Sequence, residues 1–220
     1  MKAALLACLL LASPLAMAQP SSSTASVGQL VEAVWRVQTF NFVFGGYTTA
    51  YSCNSLGSRV RAVLTSIGVL DSLRVRMVDC TDLAGGARMQ ITLASPIEAT
   101  PENVRALTTH DTRDELVARL RNEQLDTEAD LERFQATWKK VSLNRAVRPR
   151  LEAGDCELIR QLRRDVLPRL AVQVVREDLH CSVGSLGRYT PPKLTVTALI
   201  ADAQAKTSAP EVVAALPVAE

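Results

Sequence analysis

One cysteine pattern, present twice, constrains this chain more than any other feature. In each half, a tryptophan precedes a cysteine by 18 residues, and a second cysteine follows 25 or 27 residues later. The two sets are Trp35, Cys53 and Cys80, and then Trp138, Cys156 and Cys181. The same order at nearly the same intervals indicates an internal repeat, so both halves are expected to share one local fold.

The N-terminus has the features of a secretory signal peptide. Lys2 is followed by an apolar run over residues 3–11, and the tripeptide Ala-Met-Ala at 16–18 supplies small residues for cleavage. The run is shorter than the roughly 20 apolar residues that a membrane-spanning helix needs. Cys8 lies inside the signal and leaves with it. We therefore predict cleavage before Gln19 and a periplasmic or secreted location, with no transmembrane segment in the mature chain.

Export changes how the four remaining cysteines are interpreted. An even number of cysteines in an oxidising compartment indicates disulfides, and four cysteines allow three connectivities. A helix that crosses over between two strands runs antiparallel to both, so its start lies beside the end of the following strand. In each half the first cysteine precedes a predicted helix and the second ends a predicted strand. The predicted pairs are Cys53 with Cys80 and Cys156 with Cys181.

Residues 29–97 read as the first β-α-β-β repeat. An aromatic and β-branched strand covers roughly Trp35–Phe44, and the alternating segments 73–77 and 88–93 predict two more strands. Between them, five apolar residues fall on one helical face. They are Leu56, Val60, Val63, Leu64 and Ile67.

Residues 136–200 read as the second repeat, with strands near 141–147, 172–175 and 194–199 and a helix over about 157–167 that Pro168 ends. A helical connector, 98–135, lies between the repeats, with predicted helices at 113–120 and 128–136, the second capped by Thr127. Residues 19–28 and 201–220 are small and polar, and we predict that both are disordered. The fold class is therefore α+β.

Charge is unevenly distributed along a chain whose net charge is only +2. The connector holds 10 acidic and 5 basic residues, whereas residues 136–200 hold 12 basic and 6 acidic ones. The sequence has no nucleophile elbow, no phosphate-binding glycine loop and no dinucleotide fingerprint. We accordingly predict no cofactor and no metal, and we expect no nucleic-acid partner.

Each of the two histidines has acidic residues nearby in the sequence. His110 and Asp114 are spaced like a metal-binding pair on a helix, but acidic residues at a helix N-terminus have the same appearance. Glu177, Asp178 and His180 combine carboxylates with an imidazole, which suits acid–base chemistry, and the alternative is the polar end of a strand beside a disulfide.

Two sets of residues each allow a functional interpretation and an ordinary structural one. Phe40, Phe42 and Phe44 share one face of the first strand and are either core or an apolar contact surface. At an offset of 103 residues the second repeat has Leu143, Arg145 and Val147 in their place, and Arg150 where the first repeat has Tyr47. Arg145, Arg148 and Arg150 are the possible anion-binding residues, and the alternative is a solvated charged face.

The segment from Tyr51-Ser52-Cys53 through the helix to Cys80 resembles uncharacterised exported proteins of proteobacteria. That family has no assigned activity, so the resemblance implies export alone. The expected function is an exported, non-catalytic interaction or binding protein of the cell envelope, whose partner is another envelope protein or an anionic surface. The alternatives are a hydrolase-type enzyme with a site near Glu177, Asp178 and His180, or a binder of an anionic polymer or membrane surface.

Overall fold

The computed structural model describes residues 26–47, 49–81, 86–122, 124–125, 127–181, 190–207 and 210. The predicted signal peptide with Cys8, the loop through 182–189 and the last ten residues lie outside these ranges. Predictions that fall there stay predictions.

Within the described ranges the chain forms six strands and five helices. The strands are β1 Leu30–Gly45, β2 Arg74–Cys80, β3 Gly86–Glu98, β4 Arg133–Ser142, β5 Val172–Asp178 and β6 Lys193–Ala201. The helices are α1 Cys53–Ser66, α2 Pro101–Thr108, α3 Thr112–Arg121, α4 Leu143–Ala146 and α5 Cys156–Asp165, with 3-10 turns at Ala153–Asp155 and Leu167–Arg169.

All six strands belong to one antiparallel sheet in the order β2-β3-β1-β4-β6-β5. The first unit supplies three neighbouring strands and the second unit supplies the other three. The units join where β1 pairs with β4, from Leu30 opposite Thr137 to Val34 opposite Arg133. Both outer strands are irregular, since the register shifts between Met77 and Asp79 in β2 and between Val174 and Arg176 in β5. The α+β fold of two disulfide-closed units is therefore confirmed.

Among the described residues, the larger of two apolar clusters is shared by both units. The helices α1 and α5 contribute Val63 and Leu158 to it, and β1 contributes Phe42 and Phe44, both 2% exposed. Burying one such side chain stabilises the fold by about 1.5–3 kcal/mol. Phe40 is partly buried against this core, with the Arg169 guanidinium 5.0 Å from its ring centroid. The aromatic strand is thus core rather than a contact surface.

The disulfides have the predicted connectivity. Cys53, the first residue of α1, bonds to Cys80, the last residue of β2, with their Cα atoms 5.9 Å apart. Cys156, the first residue of α5, bonds to Cys181, three residues beyond β5, with Cα atoms 5.4 Å apart. Each bond fastens the start of a helix to the end of the strand that follows it, as the crossover geometry requires.

The two disulfides should differ in their resistance to reductant. Cys53 and Cys80 are both partly exposed, whereas Cys156 is only 4% exposed, and thiol–disulfide exchange depends on access to a sulfur. Under native conditions and graded reductant, alkylation and peptide mapping should therefore show Cys53–Cys80 opening first. Simultaneous loss of both bonds, or earlier loss of Cys156–Cys181, would contradict this expectation.

The predicted connector helix at 128–136 is wrong, because β4 begins at Arg133. Phe134, Ala136 and Trp138 are buried at every second position, which is the period of a strand. The Asp130 carboxylate accepts hydrogen bonds from the hydroxyl and backbone N–H of Thr127, at 2.6 and 2.9 Å. These two residues close a turn rather than cap a helix. The predicted connector 98–135 therefore loses residues 133–135 to the sheet.

The predicted strand at 141–147 is also displaced. β4 ends at Ser142, and residues 143–146 form the helical turn α4. Leu143 and Val147 are fully buried and four residues apart, which fits a helical turn better than an extended strand. Arg145 consequently lies on α4 and not on a strand.

Both predicted disordered ends have ordered portions. The Gly28 N–H donates to the Trp138 carbonyl at 2.8 Å, which ties residues near the start of β1 to β4. Ala201 belongs to β6, and Ala205 is 5% exposed with its N–H donating to the Asp202 carboxylate at 2.9 Å. Disorder predicted for 26–28 and 201–207 is therefore wrong, because local backbone bonds and apolar packing hold these short segments.

Candidate functional site

The three predicted arginines share the segment 143–151, which we name the arginine loop. Leu143, Val147 and Leu151 point into the protein, with 0%, 0% and 5% exposure. The side chains between them, Arg145, Arg148 and Arg150, are all exposed. Buried residues at every fourth position fix the backbone of the loop, and that backbone in turn displays the guanidinium groups to solvent. The structure therefore brings the three arginines together on one firmly seated segment.

A fourth arginine, from the other unit, holds the loop in place. Arg59 projects from α1, and its Nη1 donates to the carbonyls of Pro149 and Arg150 at 2.7 and 3.3 Å. Its Nε lies 3.1 Å from Oδ1 of Asp155, and the two side chains are only 14% and 3% exposed. The Arg59 charge is thus paired with Asp155 inside the protein. The same guanidinium fixes the backbone that carries the exposed arginines.

Asp155 is the centre of this buried network. Its Oδ1 also accepts the hydroxyl hydrogen bond of Tyr51 at 2.7 Å, and its Oδ2 accepts the backbone N–H of Glu152 at 2.7 Å. Burial, together with the hydrogen bond to Asp155, raises the pKa of Tyr51 far above its ordinary value, so the hydroxyl stays protonated and remains a donor. Each carboxylate oxygen therefore has a partner, which is what a buried charge requires.

The connection that follows β1 in the first unit likewise contacts helix α5 of the second unit. At the end of β1, the Gly45 N–H donates to the Gln161 side-chain oxygen at 2.9 Å, and the Gln161 amide donates to the Gly45 carbonyl at 2.6 Å. The Tyr47 N–H donates to the Glu157 carboxylate at 2.7 Å. Each strand-to-helix connection therefore contacts the helix of the opposite unit. The arginine loop is the connection of the second unit, and it contacts α1 of the first.

Arg145, Arg148 and Arg150 differ from neighbouring arginines in their partners. Arg163 pairs with Glu177 at 2.8 Å, and Arg164 pairs with Asp165 at 2.7 Å. None of the three loop arginines makes an ion pair with any residue that the structure describes. Arg148 instead donates to the carbonyls of Arg145 and Val147.

A shallow depression of about 480 Å³ separates Arg148 from α1. Its α1 lining includes Arg61 and the hydroxyl residues Ser58 and Thr65, while Asp71 contributes the one carboxylate of its described lining. Guanidinium and hydroxyl groups together are the donors that phosphate, sulfate and carboxylate oxygens accept from. The loop and this depression form a continuous donor-rich surface.

The cluster predicted for acid–base chemistry is only partly assembled. Nδ1 of His180 lies 2.9 Å from Oδ1 of Asp178, and the His180 side chain is 87% exposed. The hydrogen bond from His180 is the main cause of a lowered pKa at Asp178. Glu177 instead faces Arg163. The adjoining depression is lined by arginines, Glu177, Leu179 and His180, so its described lining offers a hydrolase no hydroxyl or thiol nucleophile.

The segment around His110 is the start of α3. The Asp111 carboxylate accepts the Asp114 N–H at 2.8 Å, and Asp114 accepts the Asp111 N–H at 3.3 Å, which closes a capping box. Across the described ranges, no three histidine, cysteine or acidic side chains are grouped to hold a metal ion. Asp111 and Asp114 therefore cap the N-terminus of α3.

No protein-family model, no curated protein and no solved structure matches this chain. Among the described residues, no helix has both the length and the apolar character needed to cross a membrane.

Proposed function

We propose that this chain is an exported, non-catalytic binding protein of the cell envelope, and that the arginine loop binds an anionic polymer or membrane surface. One observation carries the proposal: three exposed arginines without a carboxylate partner among the described residues sit on a loop whose backbone is fixed by buried side chains and by Arg59. Such preorganisation lowers the conformational entropy that binding removes.

Export is supported by the predicted signal peptide and by two disulfides, which persist in oxidising compartments. The resemblance of the Tyr51–Cys80 segment to exported proteobacterial proteins agrees with it. A duplication of one β-α-β-β unit is supported by the spacing of the tryptophans and cysteines and by the matching strand order of the two units. We propose that, after duplication, one strand-to-helix connection became the arginine loop.

Replacing Arg145, Arg148 and Arg150 together by alanine should weaken binding to vesicles of anionic phospholipid by about 100-fold, because each basic residue near such a surface contributes about 1 kcal/mol. Binding of the wild-type protein should also fall steeply with added salt, since ions screen exposed charges beyond about 10 Å at 0.1 M. Co-sedimentation at low and high salt measures both effects, and an acidic polysaccharide in a parallel series separates the two sources of anionic charge.

The matched control replaces Arg113, Arg119 and Arg121 on α3 by alanine, which removes the same charge from a different surface. This variant should bind like the wild type. Equal weakening in both triple variants would show that net charge, and not the arginine loop, determines binding, and would contradict the proposal. An absence of wild-type binding at low salt would also reject it.

A further inference from the structure

The two buried tryptophans differ in one respect. Trp138 is 5% exposed, and its indole N–H donates to the Glu98 carboxylate at 2.7 Å. Trp35 is 7% exposed, packs against the Phe134 ring at 4.6 Å between centroids, and has a buried indole nitrogen. That nitrogen finds no acceptor among the described residues. An indole nitrogen is a donor only, and a buried donor without an acceptor is rare enough to require a physical reason.

Trp35 lines a depression of about 330 Å³ that has both apolar and acidic walls. Val37, Leu107 and Leu131 supply aliphatic surface, and Asp130 and Glu132 supply carboxylates. Two hydrogen bonds from Thr127 lower the pKa of Asp130, so this carboxylate is ionised near neutral pH. None of the described lining residues is basic. The depression therefore has two negative groups without a positive one beside an aromatic ring.

We propose that this depression binds the side chain of a lysine or arginine presented by a peptide segment of a partner protein. The aliphatic stem of such a side chain packs on Val37 and Leu107, and its cationic head lies near Asp130 and Glu132. Because the Trp35 indole nitrogen is buried in the unbound protein, a backbone carbonyl of the peptide supplies the missing acceptor only when the ring turns toward the depression on binding. A depression of this size accommodates one long side chain with part of its backbone.

This site is independent of the arginine loop and has the opposite charge preference. An anionic surface would bind the loop, whereas a basic peptide would bind beside Trp35. The inference goes beyond the proposed function, because it gives the protein a second partner of different chemistry. Trp138 provides an internal reference, since its N–H already has an acceptor.

The test is titration of the ¹⁵N-labelled full mature chain with acetyl-trilysine amide, followed by the two indole N–H resonances. The Trp35→Phe variant assigns them, because it removes one N–H and keeps an aromatic ring. The Trp35 resonance should move in a saturable way while the Trp138 resonance stays in place. Acetyl-trialanine amide should leave both unchanged.

The variant Asp130→Asn/Glu132→Gln should weaken trilysine binding by about tenfold or more, since two ion pairs are removed. The matched control Glu102→Gln/Glu115→Gln changes the charge equally on the exposed connector helices and should bind like the wild type. An unmoved Trp35 resonance at millimolar peptide, an equal response to trialanine, or equal weakening in both double variants would each overturn the proposal.

Discussion

Replacing Asp155 by alanine should lower the free energy of unfolding by about 3–5 kcal/mol, because removing one member of a buried ion pair leaves the other charge uncompensated. Asp155 is 2% exposed and accepts from Arg59, Tyr51 and the Glu152 backbone, so several donors lose their acceptor together. Chemical denaturation followed by circular dichroism measures this loss. The arginine loop should also become more susceptible to proteolysis, since Arg59 no longer has a fixed position.

The control is Asp165→Ala. Asp165 pairs with Arg164 at 2.7 Å, but both side chains are substantially exposed, and a surface pair contributes about 0–1 kcal/mol. If Asp155→Ala lowered stability no more than this control does, the network around Asp155 would not hold the two units together as described.

The second large effect is expected from removal of the Cys156–Cys181 bond. The double variant Cys156→Ala/Cys181→Ala should lose about 3–4 kcal/mol, because the bond closes a loop of 25 residues and restricts the unfolded chain. Denaturant unfolding of the oxidised variant and the oxidised wild type gives this difference directly. Alanine at the buried position 156 avoids placing an unpaired polar group in the core.

Reductant provides the internal control for this experiment. The wild type should lose stability when both bonds are reduced, whereas the variant should lose only the contribution of Cys53–Cys80. A loss below about 1 kcal/mol for the oxidised variant would show that the unfolded chain is already compact in this region.

The disulfide pairing was accessible from sequence because it depends on chain direction alone. A crossover helix must run antiparallel to the strands it connects, and this places Cys53 beside Cys80 whatever the details of packing. The apolar face of α1 was equally accessible, because its residues follow the helical period. Val60, Val63 and Leu64 are all at most 1% exposed.

The start of β4 cannot be predicted from its own sequence, because the local signals there favour a helix. A threonine followed three residues later by an aspartate is typical of a helix N-terminus, and charged residues follow it. Pairing with β1 on one side and β6 on the other outweighs that local preference, since a sheet buries Phe134 and Trp138 where a solvated helix would not.

The support of the arginine loop could not be predicted at all. Arg59 and Asp155 lie 96 positions apart in the chain, and neither belongs to a motif. Only the exchange of strand-to-helix connections between the units brings them together. The sequence indicates which arginines are exposed on the loop, but it does not indicate which arginine forms the buried ion pair.

The register shifts at the two ends of the sheet have a consequence for self-association. An open six-stranded sheet has two unpaired edges, and regular edges would invite other chains to add strands until a fibre grew. Here β2 and β5 each have an irregularity in mid-strand, at Val78 and Val175, so a straight incoming strand can match only part of either edge. The two edge strands also carry positive charge, from Arg74 and Arg76 on β2 and from Arg176 on β5. The irregular, charged edges in this way protect the protein from polymerising through its own backbone.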